Sequence, residues 1–306
     1  MSAARTEVAI VGAGPAGCSA AAQCARLGLG PMLFDRRGEA GGLVVNAWRI
    51  ENHPGPKAPV SGEEYARSLE GLLDRFGITV EKAEVQRLER SGRDIRLVLA
   101  SGDALLCSTV ILATGTRPLK AGFFGEDLCP PVYTEVRELA PTRPSRALVV
   151  GGGEAALDYA LNLAERGTRV TVLVRSSRYR ARGRLPRLVS GSARIDVMMS
   201  SRVTKVLPAE FGAVAEVCLQ GDRPVRMETG AVVVAVGRRL QAPALPEDVT
   251  LRERGGARGM PGLFAAGDLV AGGLGQACTA AGDGIRAAEL ALRYLLDDGL
   301  ADDGGQ

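Results

Sequence analysis

Two short glycine clusters carry the most specific chemistry in this chain. Gly12-Ala13-Gly14-Pro15-Ala16-Gly17 and Gly151-Gly152-Gly153-Glu154-Ala155-Ala156 each follow a β-branched run and precede a stretch rich in alanine and leucine. In a G-x-G-x-x-G/A turn the first glycine makes the bend, the second lets backbone approach a pyrophosphate, and the third lets helix pack on strand. The phosphate then meets the unpaired N–H groups of the helix start. After the first cluster, the next apolar run ends in Asp35, 23 residues beyond Gly12 and placed to take a ribose hydroxyl pair.

After the second cluster that position is not acidic: the run ends in Val174-Arg175-Ser176-Ser177. A carboxylate there would repel a 2′-phosphate, whereas Arg175 would bind one. Arg180, five residues on, supplies a second arm, and the serine hydroxyls can donate to phosphate oxygens. NADPH is therefore expected over NADH. Six arginines and no acid lie between Arg175 and Arg187, more charge than one 2′-phosphate requires. A solvated charged edge accounts for the excess; the alternative is a docking patch for an acidic protein.

The remaining chemistry-bearing residues are few. Cysteines stand at 18, 24, 107, 129, 218 and 278, with no C-x-x-C pair and no metal-ligand spacing, and His53 is the single histidine. That excludes an ordinary zinc site. Cys18 and Cys24 share a predicted helix, where six residues give about 9 Å of rise and different faces, so both read as core fillers. Cys129 lies 22 residues before Gly151, and Glu126 and Val132 occupy the positions that would complete a close pair. It reads as part of a connection between domains, not as a redox centre. Cys278 opens the closing helix, where the dipole would lower a thiol pKa; the simpler reading is a small buried side chain.

Two segments with one pattern must position these groups. TEVAIVGAGPAGCSAAAQCARLGLGPMLFDRR and RALVVGGGEAALDYALNLAERGTRVTVLVRSS both read strand, glycine turn, helix, strand, with Gly28 or Gly167 ending the helix. Each is followed by an antiparallel meander that returns to a parallel strand, ending at Ala113-Thr114-Gly115 in the first case. The chain closes with a strand, a turn carrying Gly267-Asp268, a helix from about Thr279 and a frayed tail of about ten residues. The predicted fold is α/β, with two Rossmann-like three-layer dinucleotide-binding domains. The second, residues 119–238, is inserted into the first, residues 1–118 and 239–306, with the crossings at Pro118 and Arg238-Arg239.

The formal charge of +3 in 306 residues is too mild to predict a nucleic acid or membrane partner. No run of eighteen apolar residues occurs, and MSAARTEVAIVGAG leads directly into a strand, so a cytoplasmic protein is expected.

Together with GGLVVNAWRIENHPG at 41–55, ATGTRP at 113–118, VRSSRYRA at 174–181 and GLFAAGDLVAGGLGQACTAAGDG at 262–284, these motifs resemble the low-molecular-weight thioredoxin reductases and their relatives, the two-Rossmann FAD and NAD(P)H oxidoreductases. The resemblance spans nearly the whole chain. It implies FAD in the first domain, with pyrophosphate on Gly12, Gly14, Pro15, Ala16 and Gly17, and ribose on Asp35 beside Arg36. Isoalloxazine would lie near Gly41, Gly42, Leu43, Asn52, Ala113, Thr114 and Gly115, with Val85 also in the site. Gly267 and Asp268 would hold the ribityl and phosphate side, and Gln276 and Ala277 would touch the flavin ring at the helix start. NADPH would occupy the inserted domain on Gly151, Gly153, Glu154, Ala155, Arg175, Ser176, Arg180 and Gly237. Relatives are often homodimers and commonly rotate one domain against the other, which makes the crossings a candidate hinge.

The pattern also departs from the family. Thioredoxin reductases carry a redox C-x-x-C shortly before the second glycine loop; this chain has only Cys129 there. VYTEVREL at 132–139 more resembles the ferredoxin or flavodoxin NADP reductases of the same fold, yet neither their C-terminal extension nor their flavin-covering aromatic residue is evident in this sequence. Ser176 replaces the second arginine of the family's phosphate clamp. His53 stands where relatives show an aromatic ring and is expected to pack, not to transfer protons. Three functions follow as alternatives. The leading one is an FAD enzyme that takes hydride from NADPH and reduces an acceptor other than thioredoxin, such as ferredoxin, flavodoxin or a small molecule. The others are a thiol/disulfide oxidoreductase, thioredoxin reductase-like or a dithiol oxidase, that works without C-x-x-C through Cys129 or Cys278 singly or through a substrate's own thiols, and a non-catalytic flavin-binding redox sensor.

Overall fold

The computed structural model describes residues 4–55, 57–119, 131–139, 143–210, 212–219, 224–252, 255–272 and 275–303. In chain order the elements are β1 (Ala4–Val11), α1 (Pro15–Arg26), β2 (Pro31–Asp35), α2 (Gly62–Asp74), β3 (Val80–Lys82), β4 (Val85–Ser91), β5 (Asp94–Leu99), β6 (Ala104–Leu112), β7 (Thr116–Pro118), β8 (Val132–Tyr133), β9 (Arg146–Val150), α3 (Glu154–Glu165), β10 (Arg169–Leu173), α4 (Leu185–Ser190), β11 (Ile195–Met198), β12 (Ser201–Ala209), β13 (Gly212–Leu219), β14 (Val225–Thr229), β15 (Ala231–Val234), β16 (Arg238–Leu240), β17 (Thr250–Leu251), β18 (Ala257–Arg258), β19 (Leu263–Ala265) and α5 (Ala277–Asp303).

Two compact units result. One comprises Met1–Val45, Ile50–Thr116 and Leu240–Gln306; the other comprises Asn46–Arg49 and Arg117–Arg239. In the first unit the sheet order is β3-β2-β1-β6-β5-β4, and β19 pairs with the second half of β6. Strands β3, β2, β1, β6 and β19 are parallel, whereas β4, β5 and the first half of β6 form the antiparallel meander. Val8, Ala9, Ile10, Val110, Ile111 and Leu112 are buried throughout, as a central parallel strand pair covered on both faces requires. α5 lies along α1 so closely that a Cβ on Gly284 would stand 2.0 Å from the Ala16 carbonyl oxygen.

The second unit has a parallel sheet in the order β11-β10-β9-β15-β8 and a separate antiparallel sheet, β12-β13-β14. Helix α3 buries Ala156, Leu157, Tyr159, Ala160 and Leu163 against β9 and β10, and β12-β13-β14 cover the other face through Val203, Ala213, Ala215 and Val217.

The structure corrects the sequence reading of the fold in two places. Asn46–Arg49, assigned above to the first domain, packs with the second unit. Trp48 joins that unit's core, its N–H donates to an Asp158 carboxylate oxygen at 2.9 Å, and its indole N–H donates to Glu165. Arg49 pairs with Glu165 at 2.7 Å, and Asn162 donates to the Asn46 carbonyl at 3.2 Å. The C-terminal segment, read as a frayed tail, is helical to Asp303. A helix already nucleated extends at the cost of fixing one residue per hydrogen bond, and Leu300 and Ala301 are good helix formers.

Candidate functional site

In the first unit β1 stops where Gly12 turns the chain; its N–H donates to the Phe34 carbonyl at 2.7 Å. Gly12 has φ +103°, and a Cβ there would lie 2.4 Å from the Ala113 carbonyl oxygen. A Cβ on Gly17 would lie 1.7 Å from the Gly12 carbonyl oxygen, so loop and helix touch backbone to backbone. Gly14 differs: no atom lies within 4 Å of its Cβ position. Gly14 is also the N-cap of α1, supplies no side-chain cap, and is followed by Pro15, which has no N–H. The first turn of α1 therefore offers N–H groups to an open space, the arrangement a pyrophosphate needs.

Asp35 stands at the end of β2 with its carboxylate fixed on both oxygens. One accepts the Ala13 N–H at 3.1 Å and the other accepts the Arg37 N–H at 2.8 Å. Each oxygen keeps a lone pair, enough for the two hydroxyls of a ribose. Arg36 beside it is exposed. Gly41 donates to the Ala13 carbonyl at 2.8 Å, which ties the segment of Gly41, Gly42 and Leu43 to the glycine loop.

The far end of the sequence returns to this loop. A Cβ on Gly267 would stand 2.9 Å from the Ala16 side chain, and Asp268 lies against Gly275. Asn52 donates to the Gln276 side-chain oxygen at 2.8 Å, joining two predicted site residues 224 positions apart, and Ala277 opens α5 beside them. Ala113 is buried at the end of β6, and the Thr114 hydroxyl donates to the Gln241 carbonyl, while Gln241 donates to the Gly115 carbonyl at 3.0 Å. Sequence reasoning missed Gln241; its place just past the second crossing, where the chain must return to the sheet edge, is the signal that would have found it. Val85 is a different case. Its side chain is buried in the core, so only its backbone, beside the register shift between Val85 and Arg87, is available to a ligand.

His53 packs on Tyr65, with ring centroids 5.2 Å apart, and its Nδ1 accepts the Gly55 N–H at 3.1 Å. In the neutral ring the proton is thereby on Nε2. Cys278 is exposed at the second residue of α5, contrary to the buried reading, because the first turn of the helix faces solvent before α5 meets α1 at Gly284. Cys18, Cys24 and Cys107 are buried, and burial pushes each thiol up to about 12. Cys129 lies outside the described residues.

The second unit repeats the cradle. Gly151 donates to the Leu173 carbonyl at 3.0 Å, and Gly153 caps α3 without a side-chain bond, with Glu154 first and Ala155 second in the helix. The segment after β10 folds back over the loop, since Arg180 and Ala181 donate to the Gly152 carbonyl at 2.7 and 3.0 Å. Arg175 and Arg180 are both exposed. Ser176 lies exposed beside them, and its hydroxyl donates to the Arg178 carbonyl at 2.6 Å. The Gly237 carbonyl receives the Leu119 N–H at 2.9 Å next to an ion pair in which the half-buried Arg238 meets the buried Glu135 at 3.2 Å.

Among the described residues no group of three metal-ligating side chains occurs, and no helix is long and apolar enough to cross a membrane.

Known proteins of the same build place these two cradles in context. Residues 6–284 match the pyridine nucleotide-disulphide oxidoreductase family. The chain is 27% identical to the thioredoxin reductase of Listeria monocytogenes, over 94% of this chain and 93% of that one, and 29% identical to the thioredoxin reductase of Chlamydia trachomatis, over 94% and 98%. Solved structures similar to it include the thioredoxin reductase of Lactococcus lactis in the FR conformation and that of T. acidophilum. Each has a TM-score of 0.82 and covers 95% of this chain and 99% of its own, at 25% and 26% identity. The chain belongs to the pyridine nucleotide-disulphide oxidoreductase family. Within it the chain is an FAD-dependent NAD(P)H oxidoreductase of the thioredoxin reductase-like build.

Proposed function

We propose that this chain takes reducing equivalents from NADPH and hands them to an acceptor other than thioredoxin, either a redox protein such as a ferredoxin or flavodoxin or a small molecule. The observation that carries the reading is the cysteine arrangement: no two of the six stand at C-x-x-C spacing, and the described thiols are all free. The relatives are named for thioredoxin, and a dithiol-disulfide exchange needs two thiols in reach of each other.

FAD bound in the first unit would supply the two-electron hydride chemistry. The N–H groups at the start of α1 would hold its pyrophosphate, and Asp35 would accept from its ribose. The Asn52–Gln276 pair and Thr114 would orient the ring, and the positive end of α5 would favour negative charge developing nearby. In the second unit the start of α3, with Gly151 and Gly153, would hold the pyrophosphate of NADPH. Arg175 and Arg180 would clamp its 2′-phosphate, with the exposed Ser176 and Ser177 hydroxyls beside them. A cytoplasmic homodimer is the assembly we assign.

An anaerobic titration tests this. NADPH should bleach the flavin at lower concentration than NADH, and the reduced enzyme should pass electrons to flavodoxin, ferredoxin or a quinone. Reduction of thioredoxin at a comparable rate, unchanged by alanine at Cys129 and Cys278, would overturn the choice of acceptor. A second reading keeps thiol chemistry and rests on one observation, the exposure of Cys278 at the start of α5. Turnover of a disulfide substrate that is lost in Cys278→Ser would favour it.

A further inference from the structure

Charge is unevenly distributed along this chain. From Arg166 to Ile195, thirty residues contain nine arginines and no acid, so the rest of the molecule holds 29 basic against 35 acidic side chains, a net of −6. All nine arginines are exposed. They flank both ends of β10 and the start of α4, on the side of the second unit where β11 is the edge strand.

Elsewhere the arginines of this protein are commonly matched to acids, as in Arg87–Glu89, Arg90–Asp248, Arg96–Glu89 and Arg286–Asp283. Within the basic segment Arg169 reaches Asp196 at 3.4 Å, but Arg175, Arg178, Arg180, Arg182 and Arg187 make no ion pair among the described residues. The segment is nevertheless anchored. Tyr179 packs on the core of the unit, Ala181 is buried, and the Gly152 carbonyl takes two of its N–H groups. Unpaired like charges held on a fixed frame repel one another and favour an anionic partner. Arg175 and Arg180, beside the glycine loop, suffice for one phosphate, which leaves Arg178, Arg182 and Arg187 outside that role.

We infer that this arginine edge of the second unit is a docking surface for the carboxylate-rich face of another protein. Guanidinium forks match carboxylates in two-point geometry. Two other polyanions fit less well. The only aromatic side chain in the segment, Tyr179, is turned into the core, so no stacking platform for bases is present. Helix α4 has six residues and offers no amphipathic face for insertion into a lipid surface. The inference deepens the reading of a protein electron acceptor and names where it would be held.

The test uses the full chain with FAD and the double variant Arg182→Glu, Arg187→Glu. Binding of three probes is measured by anisotropy at low and at near-physiological salt: poly-L-glutamate, single-stranded DNA, and vesicles containing phosphatidylglycerol. Turnover with NADPH is followed in parallel, with ferricyanide and with flavodoxin as acceptors. The expected result is that poly-L-glutamate binds, that salt weakens it, and that in the variant the affinity for it falls, and the KM for flavodoxin rises, by about tenfold or more. KM for NADPH and the ferricyanide rate should not change. Equal binding of poly-L-glutamate by both proteins, or tighter binding of DNA or vesicles than of poly-L-glutamate, overturns the inference. If neither protein reduces flavodoxin, the acceptor reading fails while the binding result still decides the surface.

Discussion

Asp158 offers a sharp test of the energetics of the second unit. It lies on α3, its carboxylate accepts the Trp48 N–H, and burial pushes its pKa from 3.8 up to about 6, an effect that the Trp48 hydrogen bond only partly offsets. Because the folded pKa is above the unfolded one, the native state is favoured by protonation. That stability is fully present below pH 3.8 and is lost as the pH rises through about 6. A shift of roughly two units corresponds to about 3 kcal/mol at neutral pH. Asp158→Asn removes the buried charge, and its side-chain oxygen can still accept from Trp48. One turn further along the helix, at the i,i+4 spacing that brings side chains within reach, the Asn162 side-chain oxygen is buried and has no hydrogen-bond partner among the described residues, an acceptor for the new amide. The variant should therefore be more stable than the parent by up to about 3 kcal/mol at pH 7.5 and equal to it near pH 4. With a urea dependence of about 2 kcal/mol per molar, the midpoint should rise by about 1.5 M at pH 7.5. Trp48, the only tryptophan, packs in the same unit and reports its unfolding by fluorescence. Comparing parent and variant at each pH cancels the opposite contribution of Glu165, whose carboxyl the Arg49 guanidinium holds below its usual range. Parallel stability curves between pH 4 and 8 would refute the assignment of a buried, proton-retaining Asp158.

Three further outcomes are expected. Gly14→Ala should lose bound FAD yet melt, as the apoprotein, at the temperature of the parent apoprotein, since no atom lies within 4 Å of its Cβ, whereas Gly17→Ala should lose about 3 kcal/mol or more because its Cβ meets the Gly12 carbonyl; flavin absorbance per chain and thermal melts of the apoproteins separate the two. Alanine at Arg175 or Arg180 should raise KM for NADPH by about tenfold to a hundredfold and leave KM for NADH unchanged, as expected for loss of a charge-assisted bond to the 2′-phosphate. At pH 8 a pKa of about 12 leaves about one thiol in ten thousand ionised at Cys18, Cys24 and Cys107, so mass-mapped labelling by a disulfide reagent should mark Cys278 early and those three only after unfolding.

Both cradles were legible in the sequence because their constraints are local. A glycine whose Cβ would strike the next turn, and a strand ending at an acid or at an arginine, are each written within about thirty residues. Contacts between distant parts of the chain were not legible in the same way. Nothing local says that Gly284 must admit the Ala16 carbonyl, or that Asn52 will find Gln276; only the resemblance to a family brought those segments into one site. The Asn46–Arg49 segment was misassigned because sequence order favours its neighbours. The partners that claim it, Asp158, Asn162 and Glu165, lie more than a hundred residues downstream on one face of α3. The hydrogen bond from the Ser176 hydroxyl to the Arg178 carbonyl was not anticipated either, although Ser and Thr hydroxyls commonly bond to backbone a few residues away.

The thiols bear on the choice of acceptor more than their number suggests. Cys18 lies in the first turn of α1 and donates to the Ala13 carbonyl at 3.2 Å, close to the proposed pyrophosphate site, yet burial holds it as a neutral thiol. It can pack and donate but cannot attack a disulfide at a useful rate, because the thiolate is the nucleophile. Cys278 differs: it is exposed at a helix start, and it has no second cysteine at C-x-x-C spacing. A single accessible thiol can form a mixed disulfide but cannot resolve it, so a thiol route would need a second thiol supplied by the substrate. A direct route from flavin to acceptor needs no thiol, only an approach to the ring and a surface that holds the acceptor. On the inference drawn above, the basic edge from Arg166 to Ile195 would be that surface, and it requires no residue this chain lacks.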